Sequence, residues 1–342
     1  MSKYALAPMS DVVISCRVRL ARNYSDIPFS PMMTEEHART ILNRALSDIQ
    51  NSDQASVYRL VKLSELTDIE KRQLVEKHLI SYDLINHSAR AACLISSGET
   101  VSIMIGEEDH LRIQGLLPGL QLEKAAELAF KADDILSSSH SIAFDSKWGY
   151  LTTCPTNAGT GMRASALLHL PAITMTKKMG SVIQAVGKIG FTVRGLYGEG
   201  TEAEGNLYQL SNQTSMGKPE EDVIRSLIDV CNEVAETERE ARKSLLEKDQ
   251  DAFCDKMMRS VGILLNARLM DEKEFMRLFS DLRLAAGVGL INAPVTGIDE
   301  LMENMQSASL SAFFGSPLNE RDRMLLRASE IRSRLSTLID EM

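Results

Sequence analysis

The chain has 342 residues, 44% of them hydrophobic and 25% charged, which suits one large globular domain or two ordinary ones with ample core. A net charge of −9 and a pI near 5.3 argue against a nucleic-acid binder that relies on a broad basic face. No apolar run approaches the roughly 18–20 residues that span a bilayer. A small, deep cluster of arginines remains compatible with all of this.

No basic-then-apolar leader opens the chain, so the expected location is cytoplasmic, with neither a membrane nor a nucleic-acid partner. The five cysteines (Cys16, Cys93, Cys154, Cys231, Cys254) are widely spaced and form no CxxC pair. They read as reduced thiols, and neither a zinc site nor a disulfide framework is suggested.

In chain order, Asp11–Leu20 is β-rich, and Thr34–Gln50 reads as a helix opened by Thr34 with Glu36 and His37 in its first turn. Ala91–Ile95 and Thr100–Ile105 flank Ser96–Glu99, a hairpin-turn pattern. Leu120–Ser138 is a second helical run. Leu151–Thr153, Gly161–Leu170 and Gly180–Val186 read as strand, helix and helix, and Phe191–Leu196 and Asn206–Leu210 as strands. This mixture predicts an α+β domain, a sheet backed by helices. From Glu220 to Asp249 the chain is charged and amphipathic. Apolar residues then recur at helical spacing through Phe253, Met257, Val261 and Leu264 and again through Phe275, Leu278, Phe279 and Leu282. Arg321–Met342 ends the pattern, and Pro294 and Pro317 interrupt it. The expected organisation is a first domain over 1–235 and an all-helical domain over 236–342.

Three segments carry residues that packing does not require. In Arg17-Val18-Arg19, strand alternation puts both guanidinium groups on one face, with Val18 and Leu20 on the other. Two adjacent like charges suit an anion, although a solvated strand face is the plainer reading. Glu107-Glu108-Asp109-His110-Leu111-Arg112 follows an apolar strand. Acids at a strand end make a solvated turn, or else a base or a magnesium neighbourhood. For His110, a hydrogen-bonded structural imidazole is the favoured reading. The third segment, CPTNAGTGMRAS over Cys154–Ser165, reads as a strand, a loop with Gly159 and Gly161, and then a helix. Such a loop brings backbone N–H groups close to phosphate oxygens. No GxxxxGK[ST] occurs, so it is not a P-loop.

In this order, RVR, EEDHLR, CPTNxGTxxRAS and VRGxxGE resemble the phosphagen (ATP:guanidino) kinase family across about residues 11–217. The resemblance implies a phosphagen-kinase-like antiparallel sheet flanked by helices. It assigns five nucleotide-phosphate arginines to Arg17, Arg19, Arg112, Arg163 and Arg194. It also assigns two guanidinium-binding glutamates to Glu108 and Glu199 and a reactive cysteine to Cys154. ATP and Mg²⁺ are the implied cofactors, with Glu107 or Asp109 in the outer shell of the metal and no direct protein ligand. A delocalised, charged guanidinium is a poor nucleophile, so two carboxylates are needed to orient it and take its proton.

The helical domain that precedes the RVR strand in small-molecule phosphagen kinases is expected to be absent, because Arg17 comes so early. With its helical C-terminal extension, the arrangement is similar to the bacterial protein-arginine kinases of the McsB type. That branch implies protein substrates with exposed arginines, a homodimer, an activator protein, a Clp-type protease system and a role in stress response. It further implies a phosphoarginine-binding RDxxRA motif, which falls on Arg323 and Arg327. Met324 stands where Asp is expected, and a basic solvated helix face is the competing reading. Two rival functions are a small-guanidine kinase and a non-catalytic phosphoarginine-binding adaptor.

Overall fold

The β-rich run after Asp11 is the spine of the fold. The computed structural model describes residues 7–196 and 203–340, and there the run forms β1 (Val13–Arg22). Nine more strands follow: β2 (Tyr58–Lys62), β3 (Ala92–Ser96), β4 (Val101–Ile105), β5 (Leu111–Pro118), β6 (Phe144–Asp145), β7 (Gly149–Tyr150), β8 (Met162–His169), β9 (Phe191–Gly195) and β10 (Leu207–Asn212). β6 and β7 form a separate two-stranded sheet, bridged to Gly159. The other eight form one antiparallel sheet in the order β2-β3-β4-β5-β1-β8-β10-β9.

In the first part of the chain the helices are α1 (Glu35–Gln50), α2 (Asp68–Glu76), α3 (Tyr82–Asn86), α4 (Leu122–Ser137), α5 (Pro171–Met175) and α6 (Met179–Lys188). Thr34 caps α1 as its sequence suggests. Its hydroxyl accepts from the His37 N–H at 3.3 Å, and His37 Nδ1 accepts from the Thr34 N–H at 3.2 Å. The chain then becomes wholly helical, with α7 (Glu220–Lys248), α8 (Gln250–Asn266), α9 (Glu272–Gly287), α10 (Val295–Asn304), α11 (Ser307–Phe313) and α12 (Glu320–Asp340). α7 runs unbroken through residue 235, the expected domain boundary.

Two expectations are corrected. Gly161–Leu170 is not a helix: Met162–His169 is a central strand of the sheet, paired with β1 on one side and β10 on the other. Ala164 and Ala166 are good helix formers, yet here they are small because helices pack over them, and tertiary context overrides propensity. Leu151–Thr153 is irregular, and the short strand lies just before it at Gly149–Tyr150.

The even-numbered side of β1 (Cys16, Val18, Leu20) is buried under α1, α4 and α7 through Ala38, Ile41, Ala125, Ala129, Leu227 and Val234. α4 can lie this close because Gly115 of β5, opposite Val18, has no side chain. A Cβ there would stand 2.0 Å from the Ala125 carbonyl oxygen. A second core joins α8, α9, α10 and α12 through Leu264, Phe275, Phe279, Ile298 and Ile331, and it extends to Leu167 and Leu207 of the sheet.

We expect Gly115→Ala to lower stability by about 1–3 kcal/mol or more, since the backbone of α4 must move away from the sheet. A urea midpoint shifted down at unchanged slope is the supporting result, and an unshifted midpoint contradicts the close-approach argument.

Candidate functional site

The odd-numbered side of β1 carries Arg17 and Arg19, and the ladder register assembles the rest of the cluster around them. Directly opposed residues in an antiparallel pair share a face. Arg19 faces Arg163 on β8, Ala21 faces Arg112 on β5, and Arg17 faces Ser165. Ser165 faces Ser211 on β10, and Gln209 of β10 faces Arg194 on β9. All five arginines picked out in the sequence therefore project from one face of one sheet.

Burial and mutual repulsion act together on these arginines. Burial holds the Arg17 guanidinium down at about 10, with the charges of Arg19 and Arg163 adding to the effect. Arg19 is lowered by burial and by Arg163, and Arg163 by burial and by Arg194. Among the described residues, none of Arg17, Arg19, Arg163 and Arg194 forms an ion pair. Arg163 donates to the Ser211 hydroxyl at 3.0 Å. Arg112 pairs with Glu107, while its Nε has no hydrogen-bond partner.

The acidic segment separates into distinct roles. Gly106, at φ +80°, turns the chain out of β4. Glu107 is buried, accepts from the Ser81 hydroxyl and Arg112, and is pushed up to about 7 by burial. Asp109 is also buried, and its Oδ1 accepts from Asn23 Nδ2 and from the Thr153 N–H, both at 2.7 Å. It thereby ties the 151–157 loop to β1. His110 is fully buried. Its Nδ1 accepts from the Tyr24 N–H at 3.0 Å and its Nε2 lies 2.9 Å from the Pro28 carbonyl. Burial lowers its pKa, and the structural reading of this imidazole holds. Glu108 alone of the three acids is exposed, and it accepts from Asn157 Nδ2 at 3.2 Å. Glu199 lies outside the described residues.

Asn157 belongs to the loop that carries Cys154. The Cys154 thiol is half-buried and sits 3.0 Å from the Thr156 hydroxyl. Gly159 (φ +104°) and Gly161 (φ +66°) take conformations that favour glycine, and a Cβ on Gly161 would lie 2.5 Å from the Arg22 guanidinium. The loop then enters β8, so no helix N-terminus assists it. Ser81 and Asn23 were not singled out from the sequence. Each is an isolated polar residue whose partner is far along the chain, and no local pattern marks it. Asn157 stood inside a quoted motif without a role.

Arg323 and Arg327 lie apart from this cluster. Arg327 is buried rather than solvated. It donates to the Met305 and Met270 carbonyls at 2.9 and 3.1 Å, to the Ser307 hydroxyl at 3.1 Å and to Glu272 at 3.3 Å. Arg323 lines a cavity of about 530 Å³ between α2 and the C-terminal helices, with Arg72, Glu76 and Glu272.

Residues 39–241 match the family described as ATP:guanido phosphotransferase, C-terminal catalytic domain, and residues 250–341 match the one described as Protein-arginine kinase McsB C-terminal domain. The chain is 42% identical over 328 residues to the protein-arginine kinase of Caldanaerobacter subterraneus subsp. tengcongensis, covering 95% of this chain and 97% of that protein. It is 45% identical over 332 residues to that of Geobacillus stearothermophilus, covering 96% and 91%. Among solved structures, lombricine kinase shares the fold at TM-score 0.59 and 23% identity, over 67% of each chain. The duplicated taurocyamine kinase of Schistosoma mansoni with bound transition state analog components aligns at TM-score 0.60 and 25% identity, over 70% of this chain and 34% of that one.

Glu107 offers a test of the site's electrostatics that needs no ligand. Its folded pKa, about 7, lies above the ordinary 4.5, so the fold favours the neutral acid. That contribution is complete below about pH 4.5 and is lost as pH rises through about 7. Between pH 5 and 8, wild type should lose stability relative to Glu107→Gln by up to about 3 kcal/mol. Parallel denaturation curves of the two proteins across that range would contradict the assignment, whatever their constant offset.

Proposed function

The chain belongs to the ATP:guanido phosphotransferase family, and from that premise we propose that it phosphorylates arginine side chains of other proteins with ATP. What carries this reading is five arginines on one sheet face beside one exposed carboxylate. The relatives that match nearly the whole chain are named as protein-arginine kinases, which favours protein arginine over a small guanidine.

The chemistry follows from the charges. ATP's polyphosphate settles on the arginine face, where four guanidinium groups have no carboxylate partner among the described residues. The arginine nitrogen of the substrate attacks the γ-phosphorus, an N–P bond forms, and the bond to the bridging oxygen of ADP breaks. The guanidinium proton passes to Glu108, oriented by Asn157, and Glu199 is assigned the second carboxylate that aligns the acceptor. Negative charge spread over the transferring oxygens is stabilised by Arg112, Arg163 and their neighbours, positioned before the reaction begins.

Among the described residues no cluster of three His, Cys, Asp or Glu side chains could hold a metal ion. Glu107 and Asp109 already accept from Ser81, Arg112, Asn23 and Thr153. Magnesium is therefore assigned to the substrate, arriving chelated by the phosphates of ATP, with these carboxylates no nearer than the outer shell. Cys154 is assigned a modulating role beside the acceptor. The helical region beyond about residue 235 is assigned dimerisation and target recognition. Cytoplasmic action in stress response, with an activator protein and a Clp-type protease as partners, completes the reading. Two observations oppose phosphoarginine feedback at Arg323 and Arg327: Arg327 already has four protein acceptors, and Met324 replaces the acid.

Incubation of an arginine-rich protein with ATP and Mg²⁺ should yield acid-labile phosphoarginine by mass spectrometry, with free arginine a far poorer acceptor. The reverse preference would favour the small-guanidine kinase. Glu108→Gln should lower kcat by about 10²–10⁴-fold with ATP affinity nearly unchanged, and wild-type turnover in that variant would remove Glu108 as base. Arg163→Ala should raise the KM for ATP and cut kcat by about 10²–10³-fold. Unaltered kinetics would break the phosphate assignment.

A further inference from the structure

The β6–β7 hairpin projects two aromatic side chains into solvent next to the reaction centre. Phe144 is 60% exposed and Trp148, the only tryptophan of the chain, is 50% exposed. Exposed single hydrophobic residues are common, but two exposed aromatic residues on one short hairpin that is hydrogen-bonded to the 154–161 loop are not an ordinary solvated surface.

The mounting is specific. Asp145 Oδ1 accepts from the Lys147 and Trp148 N–H groups at 2.8 and 3.0 Å, which fixes the turn. Phe144 and Tyr150 meet edge to face at 5.3 Å. The Arg22 guanidinium, held by Asp133, lies 3.5 Å from the centre of the Tyr150 ring. Gly149 then presses on Gly159, since a Cβ on Gly149 would stand 2.3 Å from the Gly159 oxygen, and the Tyr150 N–H donates to that oxygen at 2.8 Å. Gly159 is two residues past Asn157, the donor to Glu108. The hairpin and the catalytic loop are thus one unit. Two peptide steps join Trp148 to Tyr150 and two join Gly159 to Asn157, so the linked path from Trp148 to Glu108 is one that a few extended residues of a bound chain can follow.

We propose that Phe144 and Trp148 form a docking subsite for the polypeptide substrate, taking a bulky apolar side chain a few residues from the acceptor arginine. The occupant is an extended segment of the substrate protein. Continuity of the hairpin with the loop beside Glu108 favours it, because a chain whose arginine reaches Glu108 must leave the cleft past some part of this rim. The inference rests on the protein-arginine reading above and adds a sequence preference to it.

The single tryptophan makes binding observable without catalysis. The probe is a short Gly/Ser peptide with one arginine and leucines about four residues away on either side, compared with the same peptide lacking the leucines. Titration into the ATP-bound protein should shift Trp148 emission with the leucine peptide and not with its control, and Phe144→Ala should weaken that binding. In steady-state assays, Trp148→Ala should lower kcat/KM for the leucine peptide by about tenfold through KM. The KM for ATP and turnover of N-acetyl-arginine-amide should be unchanged. Equal binding of both peptides, no emission shift, or an equal loss on N-acetyl-arginine-amide would overturn the subsite. An emission shift without phosphoarginine in any assay would instead overturn the kinase reading and leave the subsite standing.

Discussion

Arg19 and Arg163 face each other across adjacent strands, and the rest of the site depends on that opposition. Like charges in direct cross-strand register are destabilising, and a fold would ordinarily neutralise them with nearby acids. Here the nearby acids have other partners. Asp133 holds Arg22, Asp109 holds Asn23 and the Thr153 backbone, and Glu107 holds Arg112. The charges of Glu107, Glu108 and Asp109 offset part of the repulsion at Arg19, and under the proposed function the polyphosphate of ATP relieves the rest. The sheet tolerates this because its two faces are divided in function. The side carrying Val18 and Leu20 packs a continuous apolar core under three helices, and that burial offsets what the arginine face costs.

How much of this could be read in the sequence depended on whether a residue's role is local. Strand alternation placed Arg17 and Arg19 together, because period-two geometry is a property of the backbone itself. The cap of α1 and the β3–β4 turn were equally visible, as were the apolar periods of the C-terminal helices. The strand bearing Arg163 was not. Its alanines suit a helix in isolation, and only the approach of helices over the sheet explains why small residues stand there. Without β8 as a strand, the opposition of Arg163 to Arg19 cannot be derived. The motifs named five arginines that share one face of the sheet, while the reason they share it is a matter of register.

Buried polar partners were the least legible part. Ser81 reaches Glu107 and Asn23 reaches Asp109 across long stretches of sequence, and neither stands in a recognisable pattern. The same holds for Arg327, which reads as part of a basic helix face yet is enclosed by the carbonyls of Met270 and Met305. A guanidinium with five donors can replace several missing backbone partners at helix ends. Burial of such a group therefore depends on which ends meet, and no single segment encodes that.

The helical region also takes part in the architecture of the arginine face. Arg283 of α9 is fully buried. It pairs with Asp299 at 2.7 Å and donates to the carbonyls of Ser10 and Asp11 at 2.6 and 3.0 Å, and it lies 3.2 Å from His169. Ser10 and Asp11 lead into β1, and His169 ends β8. Because the two strands are antiparallel, their adjacent ends meet at this one side chain. Burial and the charge of Arg283 hold His169 well below its usual pKa, so the imidazole is neutral and can accept from the guanidinium. Breaking a buried pair of this kind typically costs about 3–5 kcal/mol. The strands that oppose Arg19 to Arg163 are thus clamped together by a helical region that carries none of the five arginines, and the spacing of the arginine face is set partly from outside the sheet.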